Sequence, residues 1–268
     1  MKLGFIGAGN MAGAIIKGFI NKNCVNSSDI YFIRQNKEKQ AEQAKELGIN
    51  GCDDYDSLIE NSDILFLGVK PVVFPTLLPQ IAKSVKKKNP LVVSMAAGLT
   101  TDSIREMLGY DAKIIRIMPN VNAAIAMSTT AVCKNEFASD EDLATIKNLF
   151  STIGLTTEVP ENQFAIFTAI AGCSPAYVYM FIDGLARGAQ KMGMNKQKAL
   201  EIAASAVIGS ASMYAQSNEH PQELVDKVCS PGGTTIEGVT TLEEYKFTAG
   251  VVKAVENSIL KDRELSKK

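Results

Sequence analysis

The feature that most narrows what this chain can fold into is GFIGAGNMAGAI, residues 4–15. A short apolar run, KLGFI, stops at Gly7, and a helical pattern starts at Asn10, so Gly7-Ala8-Gly9-Asn10-Met11-Ala12 fits G-x-G-x-x-A between a strand and a helix. The spacing has a physical meaning. Gly7 allows a tight turn, Gly9 lets backbone approach a pyrophosphate, and Ala12 permits close packing of helix on strand. The unpaired N–H groups of Asn10 and Met11 at the helix start then favour phosphate charge.

The rest of the first 160 residues repeats the theme. Apolar runs at IYFI (30–33), DILFLGV (63–69), PLVVSMA (90–96) and KIIRIM (113–118) alternate with helical segments at 10–22, from Lys37, from Pro71 and from about Thr101. Continuous apolar strands separated by helices imply right-handed crossovers and a sheet covered on both faces. After a helix at 139–152 and the run TTEV the pattern becomes helical to the end, rich in Ala, Gly and Ser. The expected fold is α/β: a Rossmann-like, doubly wound, mostly parallel sheet over 1–160, then an all-helical domain over 161–268 whose apolar faces are shared with a second copy.

Composition excludes several classes. Lys plus Arg total 28 against 29 for Asp plus Glu, which gives no footprint for nucleic acid or an anionic membrane. Five widely spaced cysteines and a single histidine do not make a metal site or disulfide framework, and they favour a reducing cytoplasm. No apolar run is expected to reach membrane-spanning length.

Ligands in open parallel sheets bind beyond the carboxyl ends of the strands. Arg34 follows the second strand, where an NAD site usually carries an acid, so NADP(H) is the preferred cofactor, with Arg34 reading the 2'-phosphate, Asn36 in support, and NAD(H) left open. Val69 and Lys70, then Ala96 and Ala97, end two further strands and should line the same crevice. Asn120, in Met118-Pro119-Asn120, is placed to position the nicotinamide carboxamide.

Together GFIGAGNMAGAI, FLGVKP, SMAAG, RIMPN, SPAYVYMFIDGLARGAQKMG and SPGGTT resemble the pyrroline-5-carboxylate reductase family from the first strand to about Glu264. The resemblance implies reduction of a cyclic imino acid, L-1-pyrroline-5-carboxylate, to L-proline by NAD(P)H. It also implies a helical domain that dimerises, with dimers assembling further, and an active site between the nicotinamide and the SPGGTT region. The matching residues are Ser230, Gly232, Gly233, Thr234 and Thr235. Thr234-Thr235-Ile236-Glu237 reads as a capping box, which makes Thr234 the cap of an anion-receptive helix and frees the Thr235 hydroxyl for the substrate nitrogen. His220, before Pro221, is expected to serve as a helix cap or surface residue. Two alternatives remain at this point. One is a divergent imine or β-hydroxyacid dehydrogenase-like reductase, whose usual lysine is absent from ENQFAIFTAIA (161–171); the other is a non-catalytic nucleotide-binding paralogue.

Overall fold

The computed structural model describes residues 1–265, and the chain divides into two compact units, Met1–Gly172 with the chain from Ile259 onward, and Cys173–Ser258. Unit 1 holds an eight-stranded sheet in the order β3-β2-β1-β4-β5-β6-β7-β8. Its strands are β1 (Leu3–Ile6), β2 (Ile30–Ile33), β3 (Asn50–Gly51), β4 (Ile64–Leu67), β5 (Leu91–Ser94), β6 (Ile114–Met118), β7 (Ser128–Lys134) and β8 (Gly154–Glu158). The first six run parallel; β7 is antiparallel to β6, and β8 is parallel to β7. The intervening helices are α1 (Asn10–Asn21), α2 (Lys37–Leu47), α3 (Tyr55–Glu60), α4 (Phe74–Lys88), α5 (Thr101–Leu108) and α6 (Asp140–Ser151).

Strand side chains alternate between two cores, one on each face of the sheet. Leu3, Phe5, Ile64 and Phe66 face α1 and α6, whereas Ile6, Leu65 and Leu67 face α3, α4 and α5. Phe5 and Phe66 are register partners on neighbouring strands, and their rings stack with centroids 4.5 Å apart. Phe150 of α6 meets Phe19 of α1 edge-on at 5.3 Å. Both arrangements suit the charge distribution of aromatic rings.

The mostly parallel sheet agrees with the sequence pattern, but two strands were not legible in it. β3 is only two residues long, and β7, STTAVCK, opens with hydroxyl side chains that read as loop. Ser128 and Thr130 are nevertheless buried, because their hydroxyls bond each other at 2.9 Å.

Packing within unit 1 continues past residue 161. The short α7 (Phe164–Phe167) and, as far as Gly172, the π-helical turn Thr168–Cys173 belong to unit 1, where Phe164, Phe167 and Ala171 pack on Met118, Ala131 and Cys133. A buried ion pair reinforces this junction. Arg116 on β6 meets Glu161 at 3.3 Å and places its guanidinium 4.5 Å from the Phe164 ring centroid. Glu161 also accepts from the Thr101 amide at 2.8 Å and the Thr101 hydroxyl at 3.0 Å. Arg116 is 5% exposed, and although the charge of Asp262 also acts on it, removing Glu161 takes away the carboxylate that meets its guanidinium directly. Glu161→Ala is therefore expected to cost about 2–3 kcal/mol, measured as a lower urea midpoint with an unaltered slope. An unchanged midpoint would show that the pair contributes no net stability.

Unit 2 contains α8 (Ser174–Lys191), α9 (Lys196–Gln216), α10 (Pro221–Val228), α11 (Thr234–Glu244) and the first part of α12 (Phe247–Leu265). Pro175, Ala186, Ala199 and Ala203 are its buried residues. By contrast Met180, Ile208, Met213 and Tyr245 are 65% exposed or more, so these helices leave broad apolar faces uncovered within the chain. His220 caps α10, accepting from the Gln222 amide at 3.2 Å, in line with the sequence reading. One sequence expectation needs correction. The helical stretch Glu161–Lys191 is long and apolar enough by length and composition to span a membrane. Gly172 falls within the π turn Thr168–Cys173, and Pro175 falls in the first turn of α8, where a proline is tolerated.

Candidate active site

The glycine motif builds the mouth of a cleft in unit 1. Gly7 has φ +88°, a left-handed conformation, and a Cβ there would lie 2.9 Å from the Gly68 carbonyl oxygen. Gly68 directly follows β4, and a Cβ on it would sit 3.0 Å from the Ala12 methyl, so strand end and helix touch at a distance that a larger side chain at position 12 would prevent. A Cβ on Gly9 would meet nothing within 4 Å. Gly9 is instead the cap residue of α1, with no side chain bonded to the helix start, which leaves the amides of Asn10 and Met11 for a ligand. These features fit the pyrophosphate of a dinucleotide.

The cleft measures about 470 Å³ and runs from Gly9 and Asn10 past Lys17 and Arg34 to Lys39 and Gln43. Ala8, Gly9, Asn10 and Arg34 of the sequence-derived set line it, and Lys17, Lys39, Glu42, Gln43 and Glu46 are additions that sequence reasoning missed. Lys17 is paired with Glu46 at 2.7 Å, whereas Lys39 has no carboxylate partner among the described residues. Asn36 stands outside this lining. Its side-chain oxygen accepts from the Lys39 amide at 2.9 Å and caps α2, so the support it gives Arg34 is through the helix it starts.

The other expected positions lie at the carboxyl ends of parallel strands, as required for one crevice. Val69, half-buried, and Lys70, exposed, follow β4; Ala96, buried, and Ala97, exposed, follow β5. Asn120 follows β6 but is committed elsewhere. It is 4% exposed, its Nδ2 donates to the Ala171 carbonyl at 3.0 Å, and its Oδ1 accepts from the Thr129 amide at 3.3 Å. The side chain that sequence reasoning assigned to the carboxamide therefore ties β6 to the π turn. Cys133, beside Arg116 across the β6–β7 ladder, is equally unavailable, since burial pushes its thiol up to about 12.

In unit 2 the SPGGTT stretch forms a tight turn followed by a helix. The Gly233 amide donates to the Ser230 carbonyl at 3.0 Å, with Pro231 and Gly232 between them and Gly232 at φ +66°. Proline followed by a left-handed glycine is the signature of a type II turn. This corrects the capping-box reading. Gly233 (φ −81°, ψ 170°) already holds the extended cap conformation, so Thr234 is drawn into the first turn of α11 as its first residue and no side chain caps the helix. The amides at the start of α11 are therefore left for an anion, and Thr234 and Thr235 are both exposed. Lys227, just upstream, is paired with Glu219.

Fold and cleft define a Rossmann-type dinucleotide-binding protein with a separate helical unit that carries an anion-receptive helix start. Residues 161–265 match the family described as pyrroline-5-carboxylate reductase dimerisation, and residues 2–98 match NADP oxidoreductase coenzyme F420-dependent. The pyrroline-5-carboxylate reductase of Escherichia coli is 41% identical over 99% of this chain and 98% of that protein. Among solved structures, 1-pyrroline-5-carboxylate reductase from Streptococcus pyogenes has a TM-score of 0.88 at 38% identity, covering 98% of both chains. Plasmodium falciparum pyrroline carboxylate reductase with NADP bound reaches 0.90 at 29% identity, covering 99% of this chain and 98% of that one. The chain belongs to the pyrroline-5-carboxylate reductase family.

Proposed function

We infer that this chain reduces L-1-pyrroline-5-carboxylate to L-proline with NAD(P)H, the last step of proline biosynthesis. The observation that carries the reading is a 41% identity that runs through both units and 99% of the chain. Bound NADPH would supply a hydride to the imine carbon. Gly7, Gly9 and the amides of Asn10 and Met11 fit its pyrophosphate, while Arg34 and Lys39 fit its 2'-phosphate.

The substrate carboxylate is assigned to the uncapped amides at the start of α11, where the helix dipole favours negative charge. No side chain caps those amides, and the Ser230 hydroxyl lies against Gly233 at the helix start, where a Cβ on Gly233 would run into it. The Thr235 hydroxyl then holds the substrate nitrogen, which carries the proton that makes the imine a strong hydride acceptor. Once reduced, that nitrogen keeps its proton as the product amine, so the reaction needs no buried base, and positioning supplies much of the rate. The apolar faces of unit 2 and the dimerisation match over 161–265 support a homodimer or an assembly of dimers, and the widely spaced cysteines favour work on a small molecule in a reducing cytoplasm.

Product analysis separates this reading from a β-hydroxyacid dehydrogenase. The protein with NADPH and the cyclic imine should form L-proline, and with NADP+ and a panel of β-hydroxyacids should form no reduced cofactor. The reverse pattern would overturn the assignment.

A further inference from the structure

We propose that two buried glutamines of α2, Gln40 and Gln43, are positioning residues that set the cofactor preference by holding Arg34 from both ends. The inference rests on the reading of Arg34 as the 2'-phosphate contact. The α2 sequence, KEKQAEQAKEL, is strongly polar, yet Gln40 and Gln43 are only 6% and 9% exposed. Gln40 accepts the Arg34 backbone amide at 2.8 Å on Oε1 and donates from Nε2 to the Cys52 carbonyl at 2.8 Å. Gln43 accepts from Arg34 Nη1 at 2.8 Å. It also packs so closely on α1 that a Cβ on Gly13 would lie 3.3 Å from its Nε2.

The chemistry of the acceptor matters. A glutamine oxygen fixes a guanidinium without neutralising it, so Arg34 keeps its charge and its remaining N–H groups for a phosphate. A carboxylate in the same place would form an ion pair, compete with the ligand and repel it. Because Glu is nearly isosteric with Gln, the exchange tests charge with little change in shape. Lys39, on the same cleft and without a carboxylate partner among the described residues, supplies a second cation for the phosphate.

The decisive comparison is kcat/KM for NADPH and for NADH with saturating imine, in the full-length chain and in Gln43→Glu, Gln43→Met and Arg34→Ala. Gln43→Glu should lower the NADPH value about 10- to 100-fold and the NADH value far less, as expected when a charge-assisted bond is lost to competition. Gln43→Met, which only frees the guanidinium, should cost NADPH about 3- to 10-fold. In an Arg34→Ala background the Gln43→Glu effect should disappear, which a general packing defect would not do. If Arg34→Ala shifts the cofactor ratio while Gln43→Glu does not, or weakens both cofactors equally, the proposal is overturned and the Arg34 reading stands. If Arg34→Ala leaves the ratio unchanged, the Arg34 reading fails and the proposal with it. Should Gln43→Glu not fold, NADPH and NADH titrations of Gln43→Met and Arg34→Ala give the same decision.

Discussion

Arg34→Asp should change the NADPH-to-NADH preference by about 100-fold or more, the largest effect expected of any single substitution in the cofactor cleft. Two contributions add. The guanidinium is lost as a charge-assisted donor to the 2'-phosphate, worth about 1.5–3 kcal/mol, and an acid then stands where it repels the phosphate and can accept the ribose hydroxyls of NADH. The effect should reside in KM for NADPH more than in kcat, since Arg34 lines the cleft beside Gly9 and Asn10 at the nucleotide end. Steady-state kinetics with both cofactors on one preparation measures it. An unchanged ratio would remove Arg34 from the 2'-phosphate site and leave Lys39 as the cation to test.

Thr235→Ala should lower kcat/KM for the imine about 10- to 150-fold, the range for a hydrogen bond to a charged group. Thr235 is the second residue of α11, exposed, and α11 has no side-chain cap, so the change removes a hydroxyl without unmaking the helix start. NADPH affinity, followed by fluorescence titration, should move by no more than about 2-fold, which is below 0.5 kcal/mol. Thr235→Ser should restore most of the activity because it returns the hydroxyl. Equal losses of imine turnover and NADPH affinity would place Thr235 in the cofactor site or in the fold instead.

The parts of this protein that were legible in its sequence share a physical reason. Strands buried on both faces have no choice but to be apolar, so β1, β2, β4, β5 and β6 announce themselves, and the Gly7-x-Gly9 turn can be placed because few backbones need a left-handed glycine directly after a strand. What was not legible depends on contacts distant in sequence. β7 looks like loop until Ser128 and Thr130 are seen to bond each other in the interior. The Thr-x-x-Glu spacing in α11 suggested a capping box, and only the type II turn shows that Gly233 has already taken the cap position. Asn120 looked free for a ligand because the partner of its amide, Ala171, lies 51 residues away. The two glutamines of α2 look like ordinary members of a solvated helix until their burial is known, though their spacing of three does place them on one helical face.

The most direct measurement is the absorbance of NADPH when purified protein is mixed with chemically prepared pyrroline-5-carboxylate, with L-proline quantified in the same vessel. Cofactor oxidation should depend on the imine, depend on Thr235, and yield proline in a one-to-one ratio with NADPH consumed. Folded protein that oxidises neither NADPH nor NADH in the presence of the imine would contradict the assignment.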